Sequence, residues 1–318
     1  MTASAVRTAN GRHPLANLLT VMWHYVREPD AEPRVGASAV TPDAFERQLD
    51  AIAARRSVVS WPRVARALDG REPLPGNAAL LTFDDGLVDH HRTVGPRLAA
   101  RGWSAVFFAM ARDRGERLSV GHRIHVLLAD RTADELRSAV VERLPDGHRE
   151  RLVAAEAREA VAGLEPLDVL KRCLQRDMAD SVGPILSQLI EERHGPEGDV
   201  ADELHLSEGQ IAGLRAAGMT IGGHGRRHLW LDHEPAERVR DEVRATARWL
   251  VSEPRPWAFA YPYGAPSPTA VDAFAAESAF GAAFLAAPRA GQDRWHLGRI
   301  DAEDGALAAA LDATGDDR

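Results

Sequence analysis

The 318-residue sequence contains one cysteine, Cys173, so it can form neither an intrachain disulfide nor a cysteine-based zinc site. Cys173 lies in the helical pattern Leu170-Lys171-Arg172-Cys173-Leu174 and reads as a small core residue. No apolar run is long enough to cross a bilayer. The stretch from Met1 to Leu19 is polar, broken by Gly11 and Pro14, and lacks the basic-then-apolar order of a secretion signal. These absences lead to the expectation of a cytoplasmic protein with no transmembrane segment. A basic block is missing too. Arg is frequent but interleaved with Glu and Asp, and the net charge is −8, so nucleic acid is not an expected partner. No low-complexity linker or internal repeat is visible. The remaining composition, 45% hydrophobic and 27% charged, is that of an ordinary globular chain. Its length suits one large α/β domain or two small ones.

Strand-like and helix-like segments alternate. Residues 18–23 read as a strand, and Thr41-Pro42-Asp43 opens a capped helix. Residues 58–61 read as a short strand and the apolar run before Thr82 as a buried one. A helical stretch over 94–101 closes at Gly102, and 105–109 forms another strand. After the middle of the chain, helices over 206–217, 235–251 and 267–276 alternate with strands over 219–221, 258–260 and 281–285. Repeated βα units predict an α/β fold: a mostly parallel sheet or barrel with helices outside. Residues from about 111 to 204 break this rhythm. They are nearly all helix-like, rich in Ala, Arg, Glu and Leu, and read as a helical insertion between two βα units. Residues 1–17 read as a tail and 18–318 as one domain carrying the insertion.

Thr82-Phe83-Asp84-Asp85-Gly86 places two adjacent acids where a strand runs out into a Gly turn. Successive strand side chains face opposite ways. A turn after Asp85 can therefore bring both carboxylates to one cleft with different surroundings, as needed if one binds a metal and the other handles protons. On its own the stretch reads as a solvated turn. Gly222-Gly223-His224-Gly225-Arg226-Arg227-His228 follows a later strand, with two histidines at metal-binding spacing. Strand ends of this kind gather the active site in barrels. Asp85, His224 and His228 would make a two-His, one-carboxylate site with room for water or substrate. Phe259-Ala260-Tyr261-Pro262-Tyr263-Gly264 marks a third strand end, where a rigid turn can aim a backbone N–H into the cleft. Met22-Trp23-His24-Tyr25 ends the first strand.

Together these residues resemble the polysaccharide deacetylase family, the NodB-homology or carbohydrate esterase family 4 group. Thr82-Phe83-Asp84-Asp85-Gly86 matches its first motif, His224 and His228 its His-[Ser/Thr]-x-x-His motif in spacing, and Tyr261-Pro262-Tyr263-Gly264 part of its third. The resemblance spans about 18–110 and 205–300 and leaves the insertion unexplained. It implies an incomplete or distorted (β/α) barrel. It implies that Asp85, His224 and His228 hold a divalent metal, usually Zn2+, with Co2+ or Ni2+ as alternatives. It makes Asp84 the general base and the Tyr263 backbone N–H an oxyanion donor. In the branch similar to biofilm poly-N-acetylglucosamine deacetylases, a His near the first strand supplies the general acid, and His24 matches that position. The implied reaction removes an N-acyl group, acetyl first of all, from an amino sugar or glycoconjugate.

Three departures stand out. Gly225 replaces the usual Ser or Thr, which predicts a looser loop. Ala260 stands where many members carry an Arg that orients the base. Arg299, in Leu297-Gly298-Arg299-Ile300, is a candidate substitute, with a surface Arg as the plain alternative. The late acid motif is missing, and His296 fits it poorly. Tyr261, Tyr263 and Trp23, with Trp230 and Trp257, are candidates to line a sugar site. His90 and His91 read as a helix start. His122 and His125 read as a helix-surface pair at the head of the insertion. Two other functions fit the same residues: a deformylase or other non-peptide amide hydrolase, and an inactive relative that binds glycans or a partner. Oligomeric state is not legible.

Overall fold

A computed structural model describes residues 13–289, 293–302 and 305–312. The strands are β1 (Leu19–Trp23), β2 (Ser57–Val58), β3 (Ala78–Phe83), β4 (Val106–Ala109), β5 (Thr220–Gly223), β6 (Trp257–Ala260), β7 (Phe280–Phe284) and β8 (Ile300–Asp301). All pair in parallel, in the order β7-β6-β5-β4-β3-β1-β8, with β2 beside β3 off this path. The curled sheet is a half-barrel with helices around it, an incomplete (β/α) barrel.

Strand parity sorts the core. Leu19, Val21, Trp23, Leu81, Phe83, Phe107 and Phe259 pack together with the outer helices. Leu80, Val106, Phe108, Ala258, Ala260 and Phe284 form a separate cluster on the opposite face. Both faces are buried, which is why these strands read as continuous apolar runs.

The reading of 58–61 as a strand needs correction. The strand ends at Val58, and Trp61 opens the helix Trp61–Leu68 behind Ser60, with Pro62 in its first turn. A short apolar run cannot separate strand from helix. Tertiary contacts fix this one: Trp61 packs on Phe284 and its indole N–H donates to the Pro256 carbonyl at 2.7 Å. The two-residue β8 and the helix Ala306–Asp312 were not anticipated.

Between β4 and β5 the described chain is helical: Val120–Leu127, Ala133–Arg143, Asp146–Ala160, Pro166–Arg172, Ala179–His194 and Glu197–Leu204 among its segments. These helices have their own core, including Ile124, Leu136, Leu152, Leu174, Leu186 and Ile190. That cluster also takes in Tyr25 after β1 and Leu87 after β3. The chain leaves the helices by bridging His205 to Leu87, and the Leu206 N–H donates to the Gly86 carbonyl at 2.8 Å. The helical segment is therefore fastened to the loop that carries the acid pair. No helix among the described residues is long and apolar enough to cross a membrane.

Gly86 has φ +63°, and a Cβ there would lie 2.7 Å from the Ala109 Cβ. Gly86→Ala is expected to destabilise the fold by about 2–4 kcal/mol, combining left-handed strain with overpacking. Gly70, with φ +71° and open space around it, should cost only about 1–2 kcal/mol on the same change. Urea unfolding of both variants checks this, and equal costs would contradict the close approach at Gly86.

Candidate active site

The three non-glycine residues with left-handed φ among the described residues are Asp85 (74°), His228 (56°) and Tyr263 (57°). They follow β3, β5 and β6, and each stores roughly 1–3 kcal/mol. Asp84 keeps the parity of β3, with Thr82 beneath it. The left-handed turn at Asp85 then swings the second carboxylate to the same side of the sheet, toward the end of β5.

There Asp85 Oδ1 lies 3.3 Å from His224 Nε2 and 3.2 Å from His228 Nε2, and the two nitrogens are 3.1 Å apart. Oδ1 is buried and has no hydrogen-bond partner of normal geometry. The His224 ring bonds the Ala260 carbonyl through Nδ1 at 2.8 Å. A carbonyl only accepts, so the ring proton is on Nδ1 and the Nε2 lone pair faces Asp85. Burial lowers the His228 imidazole to about 4, against the raising effect of Asp85, so this ring is neutral at pH 7. Burial alone would raise the Asp85 carboxyl, but His122, His224 and His228 outweigh it and hold it well below the usual range. An ionised, orphaned carboxylate oxygen facing two imidazole nitrogens fits a divalent cation. The three donor atoms lie within 4.8 Å of one another. Two nitrogens and one oxygen suit zinc, and also cobalt or nickel.

Asp84 has a different environment. Arg299 grips it bidentately, Nη1 to Oδ1 at 2.7 Å and Nη2 to Oδ2 at 2.6 Å. Arg299 is fully buried, so the surface reading of this residue is set aside. It is fixed in turn by the Leu285 carbonyl at 2.6 Å and by Phe108, 5.5 Å below its guanidinium. Burial pushes the Asp84 carboxyl up, but Arg299, with smaller help from His224 and His24, brings it below its ordinary value. His24 Nε2 stands 4.0 Å from Asp84 Oδ2, with 30% of its side chain exposed. The His24 carbonyl meets the His90 Nε2 at 3.1 Å. His90 is wholly buried against Phe83 and Phe107, and burial lowers it to about 4, so it is a neutral support and not merely a helix start.

The loop between the two histidines is tight, contrary to expectation. The Glu242 carboxylate accepts from the Arg226 N–H at 2.7 Å, the Arg227 N–H at 3.0 Å and the Arg227 side chain at 2.7 Å. Gly225 has φ +75°, and a Cβ would lie 3.0 Å from Glu242 Oε2. Glycine here accommodates both the left-handed backbone and the buried acid, so Glu242 takes over the support that a Ser or Thr would give.

Three aromatic candidates are misplaced as sugar contacts. Trp23 is completely buried, stacked on Phe83, with its indole N–H donating to Gln48 at 2.8 Å. Tyr261 is completely buried against Phe259 and Phe274, and Trp257 lies against Phe280. Parity turns these residues under the outer helices. Tyr263 and Trp230 do border the site. Their rings stack at 4.5 Å, Tyr263 meets the His228 ring, and Arg172 and Arg176 from the helical segment lie over Trp230.

His122 and His125 are not a surface pair. Both are buried. His122 Nε2 stands 3.3 Å from Asp85 Oδ2, and the His125 Nδ1 meets the Tyr25 hydroxyl at 3.2 Å. The available signal was Ser119, a helix cap, ahead of a helix with apolar residues on much of its circumference. Also unforeseen is the buried pair of Arg27 and Asp89, bidentate at 2.7 and 2.8 Å, which ties the loop after β1 to the loop after β3. A cavity of about 510 Å³ reaches Asp85 from another flank, lined by Met110, His205, Ile211 and Trp249. Asp84, His24 and Tyr263 are not on it, so it is not the cleft in which the proton-transfer groups meet.

Residues 185–279 match the family model for polysaccharide deacetylases. That segment contains His224, His228 and Tyr263. No curated protein matches the chain. Among solved structures, IcaB from Ammonifex degensii is 18% identical, with a TM-score of 0.54 over 93% of this chain and 95% of its own. The Streptococcus pyogenes deacetylase PplD, in complex with acetate, is 16% identical, with a TM-score of 0.53 over 89% and 91%. A de-N-acetylase from Aggregatibacter actinomycetemcomitans is 16% identical, with a TM-score of 0.53 over 92% and 99%. At these identities the likeness is one of fold. The polysaccharide deacetylase family model thus matches the segment that carries the two histidines and Tyr263, and the fold is similar to that of solved deacetylases along nearly the whole chain.

Proposed function

We propose that the protein removes an N-acyl group, acetyl in the first instance, from an amino sugar or a sugar-containing small molecule or glycoconjugate, and that it depends on a divalent metal to do so. The observation that carries this reading is the unequal treatment of two adjacent carboxylates. Asp85 faces imidazoles, whereas Asp84 faces a guanidinium and His24.

Asp85, His224 and His228 would hold the ion. Bound there, Zn2+ or a similar ion supplies Lewis-acid polarisation of the amide carbonyl and makes a water more acidic. Asp84 takes the proton from the attacking water. Arg299 keeps this carboxylate ionised and fixes both of its oxygens, so it enters the reaction already oriented. The Tyr263 N–H donates to the developing oxyanion. His24, 4.0 Å from Asp84 Oδ2 and partly open to solvent, gives a proton to the leaving amine. Water and amide are consumed, and a carboxylic acid and an amine are released. Glu242 braces the loop at Gly225 and Arg299 pairs with the base where Ala260 cannot, which supports the catalytic reading over a binding-only relative.

Asp84→Asn is expected to lower kcat by about 10²–10⁴-fold while Zn2+ affinity changes little. Primary-amine release from N-acetyl and N-formyl amino sugars, free, nucleotide-linked and oligomeric, with chelation and Zn2+ or Co2+ restoration, provides the readout. Near-normal turnover in this variant would remove Asp84 from its role.

Arg299→Met leaves a buried carboxylate uncompensated and should cost about 3–5 kcal/mol at neutral pH. In the parent protein the Asp84 carboxyl is depressed, so its stabilisation is present above the ordinary carboxyl range and fades as pH falls through the folded value. In the variant, burial acts unopposed and raises it, so protonation relieves the penalty. The stability gap between the two proteins should narrow from about pH 7 to about pH 4 in urea unfolding. A gap independent of pH would mean that the cost is packing alone.

A further inference from the structure

We propose that His122, carried by the helical segment between β4 and β5, is a positioning residue that holds the outer oxygen of Asp85 and so sets the metal affinity of the site. The proposal rests on the reading of Asp85, His224 and His228 as ligands. The His122 side chain is buried, and its Nε2 lies 3.3 Å from Asp85 Oδ2, an ion-pair approach, with no hydrogen-bond partner of normal geometry. His224 and His228 both converge on Oδ1, whereas His122 approaches Oδ2.

The other ring nitrogen fixes the tautomer. His122 Nδ1 lies 2.7 Å from the Ser119 Oγ, and that oxygen already accepts the His122 backbone N–H at 3.1 Å. The Ser119 hydroxyl proton is then free to be donated to Nδ1. Donation in that sense places the ring proton on Nε2, the nitrogen on the Asp85 side. A metal ligand would need the reverse tautomer, with the lone pair on Nε2. Ser119 is the N-cap of Val120–Leu127, so the donor is built into the start of a helix. Ile124 and Leu127 of the same helix enter the core of the helical segment. The packing of that core therefore determines where His122 stands. With one oxygen facing the cation site and the other 3.3 Å from the His122 ring nitrogen, the carboxylate is restrained from rotating, so the ordering cost of binding falls.

The test measures Zn2+ alone, by competition with a chromophoric chelator on the full metal-free chain. His122→Leu should raise the Kd by about 10–100-fold. His122→Gln, whose amide N–H can still reach Oδ2, should recover most of the loss. Ser119→Ala, which removes the anchor and leaves the imidazole, should weaken binding in the same direction. Far-UV circular dichroism and a cooperative unfolding transition of each metal-free protein establish that it is folded. If His122→Leu does not fold, the glutamine and Ser119→Ala variants decide. Unchanged affinity in His122→Leu or in Ser119→Ala overturns the proposal. Equal loss in the leucine and glutamine variants overturns it as well, because that result marks a ligand. A parent protein that binds no Zn2+ fails at the earlier step and overturns the metal-site reading itself.

Discussion

Two neighbouring carboxylates buried at the end of one strand set the terms for the rest of this molecule. Neither can stay ionised out of water without a partner, and one partner cannot serve both, since adjacent residues leave a strand on different paths. The chain resolves this with two separate environments. Arg299 reaches Asp84 from the residue before β8, far away in sequence. Imidazoles reach Asp85 from the end of β5 and from the helical segment. The turn that separates the acids is strained at Asp85 and depends on Gly86 being able to approach Ala109.

Much of the scaffold was readable in the sequence because its strands are buried on both faces. Residues 78–81 and 105–109 are apolar without interruption, and no other element explains such runs as simply. The acid pair and the His224/His228 spacing were readable for a related reason: the turns that present them use Gly and Asp in positions that few other residues fill. What was not readable depends on contacts distant in sequence. Glu242 looks like one more acid on an amphipathic helix, and only the fold of the loop below shows that it is enclosed. His122 looks like a surface residue until the core of its helical segment is assembled around it. Trp23 and Tyr261 sat beside motif residues, but neighbours on a strand face opposite ways, and proximity in sequence placed them on the wrong side.

The helical segment has its own apolar core, yet it is joined to the barrel at the places where charge is handled. Tyr25 and Leu87 belong to that core and flank His24 and the acid pair. Arg172 and Arg176 lie over Trp230, which stacks on Tyr263, the residue whose backbone is held left-handed. The active-site loops are thus braced on one side by the sheet and on the other by this helical layer. Strained backbone at three positions is sustainable under such bracing, because relaxation at any one would have to displace packed neighbours.

The hydrogen bond from the Leu206 N–H to the Gly86 carbonyl has a consequence for how such chains can be recombined. The helical segment looks like a cassette, bounded by β4 and β5 and stabilised from within. Its exit, however, is stitched to the backbone of the acid-pair turn itself, and its entrance carries His122. A transplanted cassette with a different exit register would tug on Gly86 and misalign both carboxylates, even with every motif residue left in place. The exchangeable unit therefore extends beyond the helices to include the turn after β3, and the two have to be moved together.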